Sequence, residues 1–345
     1  MKNLNYGIIG YGNMGKIRHQ AMLSIGAGDP SKIYDPIPNG NISQIFGKSY
    51  TEIMDDPDIG NIIICTPNYL NKKITIDALN KGKNVFCEKP PCFNADELKD
   101  IIKVEKSTGC LLMYGFNHRH HNGAMKLLKE INSGQYGDVL WVRGRYGKSV
   151  DEDYFKTWRA DPKLSGGGIL IDQGIHMIDL FLKIITDLDE INANVSNLYW
   201  NLPGIEDNVF ALLRNSSTGQ CASLHSTMTQ WRHLFSLEVF LQKGYMVLNG
   251  IDTPSKTYGK EVLTIAKNRS RAPAATWEDE YKFEFSSDQS WKLEMENFYS
   301  NISGKVKSKH RDSSEALKVM EIIDKIYANN VHKSSNLYSK LNAIK

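Results

Sequence analysis

The chain has 345 residues, 41% of them hydrophobic, and a formal net charge of +3 at pH 7. This length accommodates two domains with apolar cores, and the nearly neutral charge argues against a nucleic-acid or membrane-surface partner. We expect no membrane span, because no apolar run is long enough, and no signal peptide, because the first apolar run leads straight into a glycine turn. The 5 cysteines include no C-x-x-C pair. This disfavours a disulfide framework or a zinc ribbon and predicts a cytoplasmic protein.

The first third of the sequence alternates strand and helix patterns. Short apolar runs typical of buried strands predict strands at Leu4–Ile9, Lys32–Tyr34, Ile62–Cys65, Asn84–Cys87 and Leu111–Tyr114. Helical periodicity between these runs predicts helices at Gly15–Ile25, Asn71–Lys81 and Ala95–Thr108. The alternation predicts an α/β domain over residues 1–121, in which helices cover both faces of a parallel sheet.

The pattern changes near residue 120 to longer strands of alternating polarity. After a helix at Asn122–Ile131, we predict strands at Asp138–Tyr146, Val209–Leu213, Cys221–Met228, Leu237–Leu241 and Tyr245–Asn249. Thr218-Gly219 and Lys243-Gly244 are typical of hairpin turns. We therefore predict an α+β domain with an antiparallel sheet over residues 122–345. The sequence leaves open whether its last helix, 313–328, packs back on the first domain.

A dinucleotide-binding fingerprint lies between the first strand and the first helix. Residues 10–15 fit G-x-G-x-x-G, and Asp35 follows at the end of the second predicted strand. Gly10 allows a tight turn, Gly12 lets the backbone approach a pyrophosphate, and Gly15 lets helix and strand pack closely. The positive helix N-terminus then faces the phosphates. A glycine turn that binds nothing is the weaker interpretation, because strand, helix and acid are all in place.

Asp35 also bears on the choice of cofactor. Its carboxylate is suited to accept hydrogen bonds from the adenosine ribose hydroxyls, and it would repel a 2′-phosphate. Residues 36–38 supply no arginine to bind such a phosphate. The sequence therefore predicts NAD as the cofactor rather than NADP.

The segment 165–180 combines three glycines with an apolar helical pattern that carries titratable groups. Asp172, His176 and Asp179 share one face at about 100° per residue, while apolar residues cover most of the rest. Buried carboxylates and imidazoles are costly unless paired, so proton transfer at a substrate is a reason for their placement. We interpret Asp179 as structural and leave it out of the catalytic set.

Lys89 follows a predicted parallel strand in Cys87-Glu88-Lys89-Pro90-Pro91. The carboxyl ends of such strands line the ligand crevice of an α/β sheet, so Lys89 is predicted to lie beside the cofactor. A lysine there is suited to proton transfer. A solvated lysine in a proline-rich turn is the alternative, and it is the favoured one when Lys89 is considered alone.

These motifs together resemble the Gfo/Idh/MocA family, named for glucose–fructose oxidoreductase, inositol dehydrogenase and rhizopine catabolism. The resemblance covers nearly the whole chain and rests on residues 8–15, Cys65-Thr66-Pro67-Asn68, Glu88-Lys89-Pro90, Gly115-Phe116-Asn117-His118-Arg119, Trp158-Arg159-x-Asp161-Pro162 and Asp172-x-Gly174-x-His176. A softer similarity to members from surface-polysaccharide gene clusters rests on Thr229-Gln230-Trp231 and Ser290-Trp291-Lys292-Leu293-Glu294.

The resemblance implies a fold and a reaction. It implies an N-terminal Rossmann domain and a C-terminal domain built on a large, open, mostly antiparallel sheet. The implied reaction is hydride transfer between nicotinamide C4 and a sugar or cyclitol carbon. By motif match, Lys89 is an acid/base residue on the reacting hydroxyl, His176 accepts the proton in oxidation, and Asp172 orients or polarises the hydroxyl. A cis Lys89–Pro90 peptide is also implied.

The resemblance and the fingerprint together define the expected site. The predicted cofactor-binding residues are Gly10, Gly12, Asn13, Met14, Gly15, Asp35, Thr66, Pro67, Asn68, Glu88, Lys89 and Asn117. The predicted substrate-binding residues are Lys89, Arg119, Tyr146, Trp158, Arg159, Asp172, His176 and Trp231. Tyr146 and Trp231 are equally well read as ordinary sheet residues. We predict no metal site, because the spacing of the histidines at 118, 120 and 121 fits no common zinc pattern.

Three functions remain in competition at this point. The leading one is an NAD-dependent dehydrogenase or reductase acting on a sugar, cyclitol or nucleotide-linked sugar. The second retains NAD and uses transient oxidation for elimination, epimerisation or glycoside cleavage. A dinucleotide-sensing regulator is the third, and it is disfavoured because Lys89, Asp172 and His176 are all present. A homodimer or homotetramer is expected, since an open sheet face needs covering.

Overall fold

The computed structural model describes residues 4–37, 47–267, 276–304 and 312–329. The chain forms two compact units. The first comprises the described residues of 1–126, 163–166 and 286–321, and the second those of 127–162, 167–285 and 322–345. Segments 163–166 and 286–321 thus group with the first unit, although the sequence analysis assigned them to a domain over 122–345.

The first unit is built on a five-stranded parallel sheet. Its elements are β1 (Tyr6–Ile9), α1 (Asn13–Ser24), β2 (Lys32–Tyr34), α2 (Tyr50–Asp55), β3 (Asn61–Ile64), α3 (Asn68–Asn80), β4 (Asn84–Glu88), α4 (Ala95–Thr108) and β5 (Leu112–Gly115). The strand order is β2-β1-β3-β4-β5. The order reverses between β1 and β3, which is where α/β sheets bind their ligands. The predicted α/β alternation is confirmed, and the short helix α2 was not foreseen.

Helix α4 shows why local sequence determines these elements. The Asn94 side chain accepts a hydrogen bond from the Glu97 amide at 2.9 Å, as the capping pattern requires. The Glu97 carboxylate reaches back one residue further, to the amide of Phe93 at 3.0 Å. Gly109 ends the helix in the left-handed region, with φ of 69°.

The second unit carries an eight-stranded sheet. Its elements begin with α5 (Asn122–Asn132), of which 122–126 belong to the first unit, and β6 (Val139–Ser149). They continue with α6 (Pro162–Ser165), whose residues 163–165 group with the first unit, α7 (Ile175–Ile184), β7 (Glu190–Ser196), β8 (Asn208–Arg214), β9 (Cys221–Thr227), β10 (Thr229–Leu241), β11 (Gly244–Asn249), β12 (Glu261–Lys267) and β13 (Tyr281–Phe285). The strand order is β13-β12-β11-β10-β6-β9-β8-β7.

This sheet confirms the predicted, mostly antiparallel α+β architecture with two additions. The pair of β6 and β9 is parallel, while the other pairs are antiparallel. Strands β7, β12 and β13 were not predicted. Both edge strands are among them, although their sequences, EINANVS and YKFEF, alternate polar and apolar residues and so carried a usable signal. The predicted hairpin at Lys243-Gly244 turns one residue earlier, since Gly244 already pairs with Leu241.

Helix α7 packs against one face of this sheet, which we call the inner face. A Cβ atom at Gly144 of β6 would lie 2.5 Å from Met177 and 2.7 Å from Phe181, so glycine permits the close approach. Along β6, Val142 and Tyr146 are buried while Arg143 and Arg145 are exposed. Tyr146 and Lys148 therefore lie on the inner face by strand alternation.

The remaining helices are α8 (Ser290–Ser303) and α9 (Asp312–Ala328). The start of α9 groups with the first unit, where the Ser313 hydroxyl donates to the Glu105 carboxylate at 2.5 Å. No helix in the described ranges has the length and hydrophobicity that a bilayer crossing requires.

A buried ion-pair network ties α8 into the first unit. Arg18 of α1 contacts Glu88 of β4 and Glu294 of α8, each at 2.6 Å. Its guanidinium also lies 4.5 Å from the ring centroid of Phe86 and 4.7 Å from that of Trp291. The Arg18 side chain is 0% exposed. This network gives a physical reason why residues distant in sequence group with the parallel sheet.

We expect Arg18→Met to lower the free energy of unfolding by about 3–5 kcal/mol, because it leaves two buried carboxylates without their cation. Urea unfolding measures the change. Lys103→Met is the matched control, because the Lys103–Asp100 pair is exposed and such pairs contribute little. An equal, small loss in both variants would contradict the role of Arg18.

Candidate active site

The glycine loop has the geometry that a bound pyrophosphate needs. Gly10 has a φ of 90°, and a Cβ there would lie 2.5 Å from the Cys65 carbonyl oxygen. A Cβ at Gly15 would overlap the carbonyl of Gly10, so this glycine permits close packing against the loop itself. Among the described residues, a Cβ at Gly12 would meet nothing within 4 Å. The open side of Gly12, at the start of α1, fits an approaching phosphate.

Asp35 braces this loop. One carboxylate oxygen accepts a hydrogen bond from the Tyr11 amide at 2.6 Å, and the other accepts from the Ile37 amide at 2.9 Å. A carboxylate has about four lone-pair sites, so acceptor capacity is left for ribose hydroxyls. The prediction that no arginine here binds a 2′-phosphate rests on residues 36–38, of which Pro38 lies outside the described residues.

A buried amide links the ends of β3 and β4. The Thr66 hydroxyl donates to Asn71 Oδ1 at 2.9 Å, and Asn71 Nδ2 donates to the Pro90 carbonyl at 2.8 Å. Asn71 is 0% exposed. The half-buried Lys89 lies in the turn that this amide holds, and its peptide bond to Pro90 is cis, as the resemblance implies. Asn71 was not predicted; a polar residue on the buried side of α3 was the available signal.

Three residues predicted to border the cofactor have side chains engaged in buried contacts. Glu88 is bound by Arg18, and Asn117 donates to the Ser290 hydroxyl at 3.1 Å. The amide of Asn68 donates to the Ser165 carbonyl at 2.8 Å. These contacts give the three side chains supporting roles, and their proposed cofactor contacts stay predictions.

The Arg119 region is likewise occupied by contacts within the first unit. Arg119 pairs with Glu315 at 2.7 Å and lies over the Phe116 ring at 5.2 Å. His118 and His121 are buried, with ring centroids 5.5 Å apart. Across the described ranges, no group of three or more His, Cys, Asp or Glu residues has metal-binding geometry.

The glycine run 166–168 leads into a helix that differs from the prediction. Residues Leu170–Gly174 form a π-helical turn, and the α-helix begins only at Ile175. The expected rotation of about 100° per residue is therefore wrong between Asp172 and His176, because a π turn holds more residues than an α turn. Such turns occur frequently at functional sites. His176 and Asp179 are buried as predicted, at 3% and 1% exposure.

Glu206 holds the start of this segment. Its carboxylate accepts hydrogen bonds from the Gly168 amide at 2.7 Å, the Leu170 amide at 2.8 Å and the Tyr327 hydroxyl at 2.9 Å. Burial raises the pKa of Glu206, and these hydrogen bonds oppose that shift. Glu206 and Tyr327 were not predicted, because nothing in their spacing links them to residues 168–170.

Asp172 lies between two cations of the second unit. Its carboxylate oxygens are 3.8 Å from the Lys148 Nζ and 3.8 Å from the Arg159 Nε. Arg159 also stacks over the Trp158 ring at 4.5 Å. The structure thus brings three predicted residues together, and Lys148 joins them from the inner face of β6.

The other predicted sheet residues have contrasting environments. Tyr146 is buried, with ring centroids 5.4 Å from Phe235 and 5.5 Å from Tyr258. Burial raises the pKa of the Tyr146 hydroxyl. Trp231 is 82% exposed and lies where the pairing of β10 with β6 shifts register between Thr229 and Leu234. Irregularities of this kind redirect side chains, often next to active sites.

Comparison with known proteins identifies the family. Residues 4–116 match the model of an oxidoreductase family with an NAD-binding Rossmann fold, and residues 125–247 match the GFO/IDH/MocA C-terminal domain. The chain belongs to the Gfo/Idh/MocA family. The resemblance inferred from the motifs is confirmed, as are the Rossmann architecture and the NAD-binding character of the first domain.

Two individual relatives each share less than 30% sequence identity with the chain over the aligned region. The chain is 29% identical over 218 residues to levoglucosan dehydrogenase of Pseudarthrobacter phenanthrenivorans, which covers 57% of this chain and 55% of the relative. It is 26% identical over 254 residues to 2,7-anhydro-N-acetylneuraminate hydratase of Escherichia coli, covering 72% and 65%. The aligned region therefore spans less than two thirds of each relative's length. The solved structure of levoglucosan dehydrogenase with NADH has the same fold, with a TM-score of 0.81, 22% identity and coverage of 95% of this chain and 97% of that one.

We expect Glu206→Gln to speed amide hydrogen exchange at Gly168 and Leu170 by about tenfold or more. The glutamine side chain keeps one acceptor oxygen, and its NH2 group then faces a backbone N–H, from which it cannot accept a hydrogen bond. Hydrogen-exchange mass spectrometry measures this. Tyr327→Phe removes the hydroxyl and keeps both carboxylate–amide bonds, so its exchange at these amides should stay closer to that of the wild type. Unchanged exchange in Glu206→Gln would show that the carboxylate does not hold this segment.

Proposed function

We propose that the protein is an NAD-dependent oxidoreductase. It transfers a hydride between nicotinamide C4 and a secondary hydroxyl or ketone of a sugar, cyclitol or nucleotide-linked sugar. The observation that carries the proposal is the carboxyl edge of the parallel sheet. There the Gly10–Gly15 loop and the Lys89 turn follow strands of the same sheet, with Asn71 bonded to both Thr66 and Pro90. The name of the aligned levoglucosan dehydrogenase supports a sugar substrate.

The chain's own residues would bind the cofactor and move the proton. NAD, when bound, accepts or returns the hydride. The loop amides and the α1 N-terminus would hold its pyrophosphate, and Asp35 would hold its adenosine ribose. Lys89 would position the reacting hydroxyl as an acid/base group, and His176 would take its proton in oxidation and return it in reduction.

Asp172 has a supporting role in this proposal. Lys148 and Arg159 each lie 3.8 Å from one of its two carboxylate oxygens. An opposite charge at this distance stabilises the charged form of a carboxylate. A charged carboxylate accepts hydrogen bonds and donates none. Asp172 would therefore orient the substrate hydroxyl, while His176 carries the proton.

We expect Lys89→Met and His176→Ala to lower kcat by about 10²–10⁴, the usual contribution of a positioned proton-transfer group. The absorbance of NADH measures turnover on a panel of sugars, and calorimetry measures NADH binding, which should survive in both variants. Lys99→Ala, an exposed α4 lysine paired with Asp96, is the control. Full turnover in either variant would remove its assigned role. Product without net NADH would favour transient oxidation over net dehydrogenation.

The preference for NAD over NADP tests Asp35. We expect the wild type to have the higher kcat/KM with NAD, and Asp35→Ser to reduce the NAD-to-NADP ratio by about tenfold or more, because hydrogen bonds to a charged group are lost. Asp35→Asn removes the charge but keeps an acceptor for the Tyr11 amide. It therefore distinguishes an effect of the charge from an effect of a loosened loop. A wild type that prefers NADP would contradict the assignment.

We also propose a cytoplasmic homodimer or homotetramer. All 5 cysteines lie in the described part of the chain as free thiols, in keeping with a reducing compartment. The sheet face opposite α7 exposes apolar side chains of β8, Phe210 at 54% and Leu212 at 54%. On the same face Arg143 and Glu238 pair across strands at 2.7 Å, so the face offers both charges to a second copy.

A further inference from the structure

The second unit contains two positively charged side chains that lie near the same carboxylate. Lys148, on the inner face of β6, and Arg159, in the turn before α6, form what we call the cationic pair. Both converge on one carboxylate, that of Asp172, at 3.8 Å each. Their side chains are 24% and 37% exposed, so a ligand has access to both.

Asp172 alone does not use the hydrogen-bonding capacity of the pair. At 3.8 Å both contacts are ion pairs beyond hydrogen-bond distance. The Arg159 Nε is buried and makes no hydrogen bond within the described residues. An ammonium has three donors and a guanidinium five, and buried donors are normally satisfied. Within the described part of the chain, the two cations therefore share one carboxylate, and neither lies within hydrogen-bond distance of it.

Glu206, a second carboxylate near Tyr154, does not supply a further acceptor. The oxygens of Glu206 are bonded to the amides of Gly168 and Leu170 and to the Tyr327 hydroxyl. Among the described residues, Glu206 makes no ion pair with Lys148 or Arg159, and Asp172 is the carboxylate that lies within ion-pair distance of both.

Aromatic rings hold the two cations in place. Arg159 lies over the Trp158 ring at 4.5 Å, and the Lys148 Nζ lies 5.5 Å from the Tyr154 ring centroid. Such contacts orient a cation without neutralising it. Trp158 and Tyr154 are only partly buried. Rings of this kind, with an apolar face and a polar edge, suit the mixed surface of a sugar.

The register shift of β10 places an imidazole near Lys148. His233 lies in that shift and packs against Tyr258 at 4.7 Å between ring centroids. Burial lowers the pKa of His233, and the Lys148 charge lowers it further. The lowered pKa disfavours a third positive charge beside Lys148 and Arg159.

We propose that Lys148 and Arg159 bind an anionic substituent, a carboxylate or a phosphate, on the sugar substrate. The inference rests on the proposed function and narrows its substrate class to acidic sugars. Arg159 is suited to a planar or tetrahedral oxyanion through its fork of N–H groups, and Lys148 adds a point charge. Tyr154 and Trp158 would contact the sugar ring beside the substituent.

Binding to the NADH-loaded protein tests this without requiring turnover. Calorimetry compares D-glucose with D-glucuronate, which adds a carboxylate, and with D-glucose 6-phosphate, which adds a phosphate. The wild type should bind at least one anionic probe about tenfold more tightly than glucose, the scale of a charge-assisted hydrogen bond. Whether glucuronate or the phosphate gains more identifies the substituent.

Variants then assign the effect to the pair. Lys148→Met and Arg159→Met should each lower the ratio of anionic-probe affinity to glucose affinity about tenfold, and Lys148→Arg should keep most of that ratio. Arg145→Met removes the same charge from the exposed face of β6 and should bind every probe like the wild type. An equal affinity of the wild type for all three probes would overturn the proposal, as would Met variants that keep the preference.

Failure of this inference is distinguishable from failure of the proposed function. Turnover of neutral sugars with no anionic preference would overturn the inference and leave the oxidoreductase proposal standing. Selective anion binding with no turnover of any sugar would support the inference on the cationic pair and contradict the proposed reaction.

Discussion

The first unit depends on a single guanidinium that is completely removed from water. Arg18 pairs with Glu88 and Glu294 and lies against two aromatic rings. A buried charge is tolerated only when it is paired and hydrogen-bonded, so these groups specify one arrangement of three elements. Those elements are α1, which begins at the glycine loop, β4, which leads to the Lys89 turn, and α8. The interaction therefore connects the proposed cofactor loop to the proposed acid/base residue.

The second unit also contains a buried polar side chain that several partners hold, and here it is a carboxylate. The Glu206 carboxylate is buried and binds the backbone of Gly168 and Leu170, just before the π turn that carries Asp172. In both units a buried carboxylate with several partners, Glu88 or Glu206, is held close to the segment that carries a proposed site residue. Lys89 and Asp172 stay partly accessible, because their neighbours in sequence bear the structural contacts. This division lets a site be rigid and still reachable by substrate.

Prediction from sequence succeeded where structure is decided locally. Apart from α2, the strands and helices of residues 1–121 and the glycine loop follow from patterns within one or two elements. It failed where distant contacts decide. Helix α8, for example, is held by its contact with Arg18. The π turn at Leu170–Gly174 follows the Glu206 contacts, and no periodicity marks it.

The sequence by itself determined the family, the two kinds of sheet and the cofactor loop. The positions of Gly10 and Gly15 are demanded by backbone sterics, which act between neighbours and are readable from spacing. Only the tertiary structure decided what surrounds Asp172. Lys148 comes from a strand, Arg159 from a turn and Asp172 from a π turn, and no spacing rule joins them. Their proximity arises because side chains far apart in sequence converge when the sheet and helix of the second unit pack.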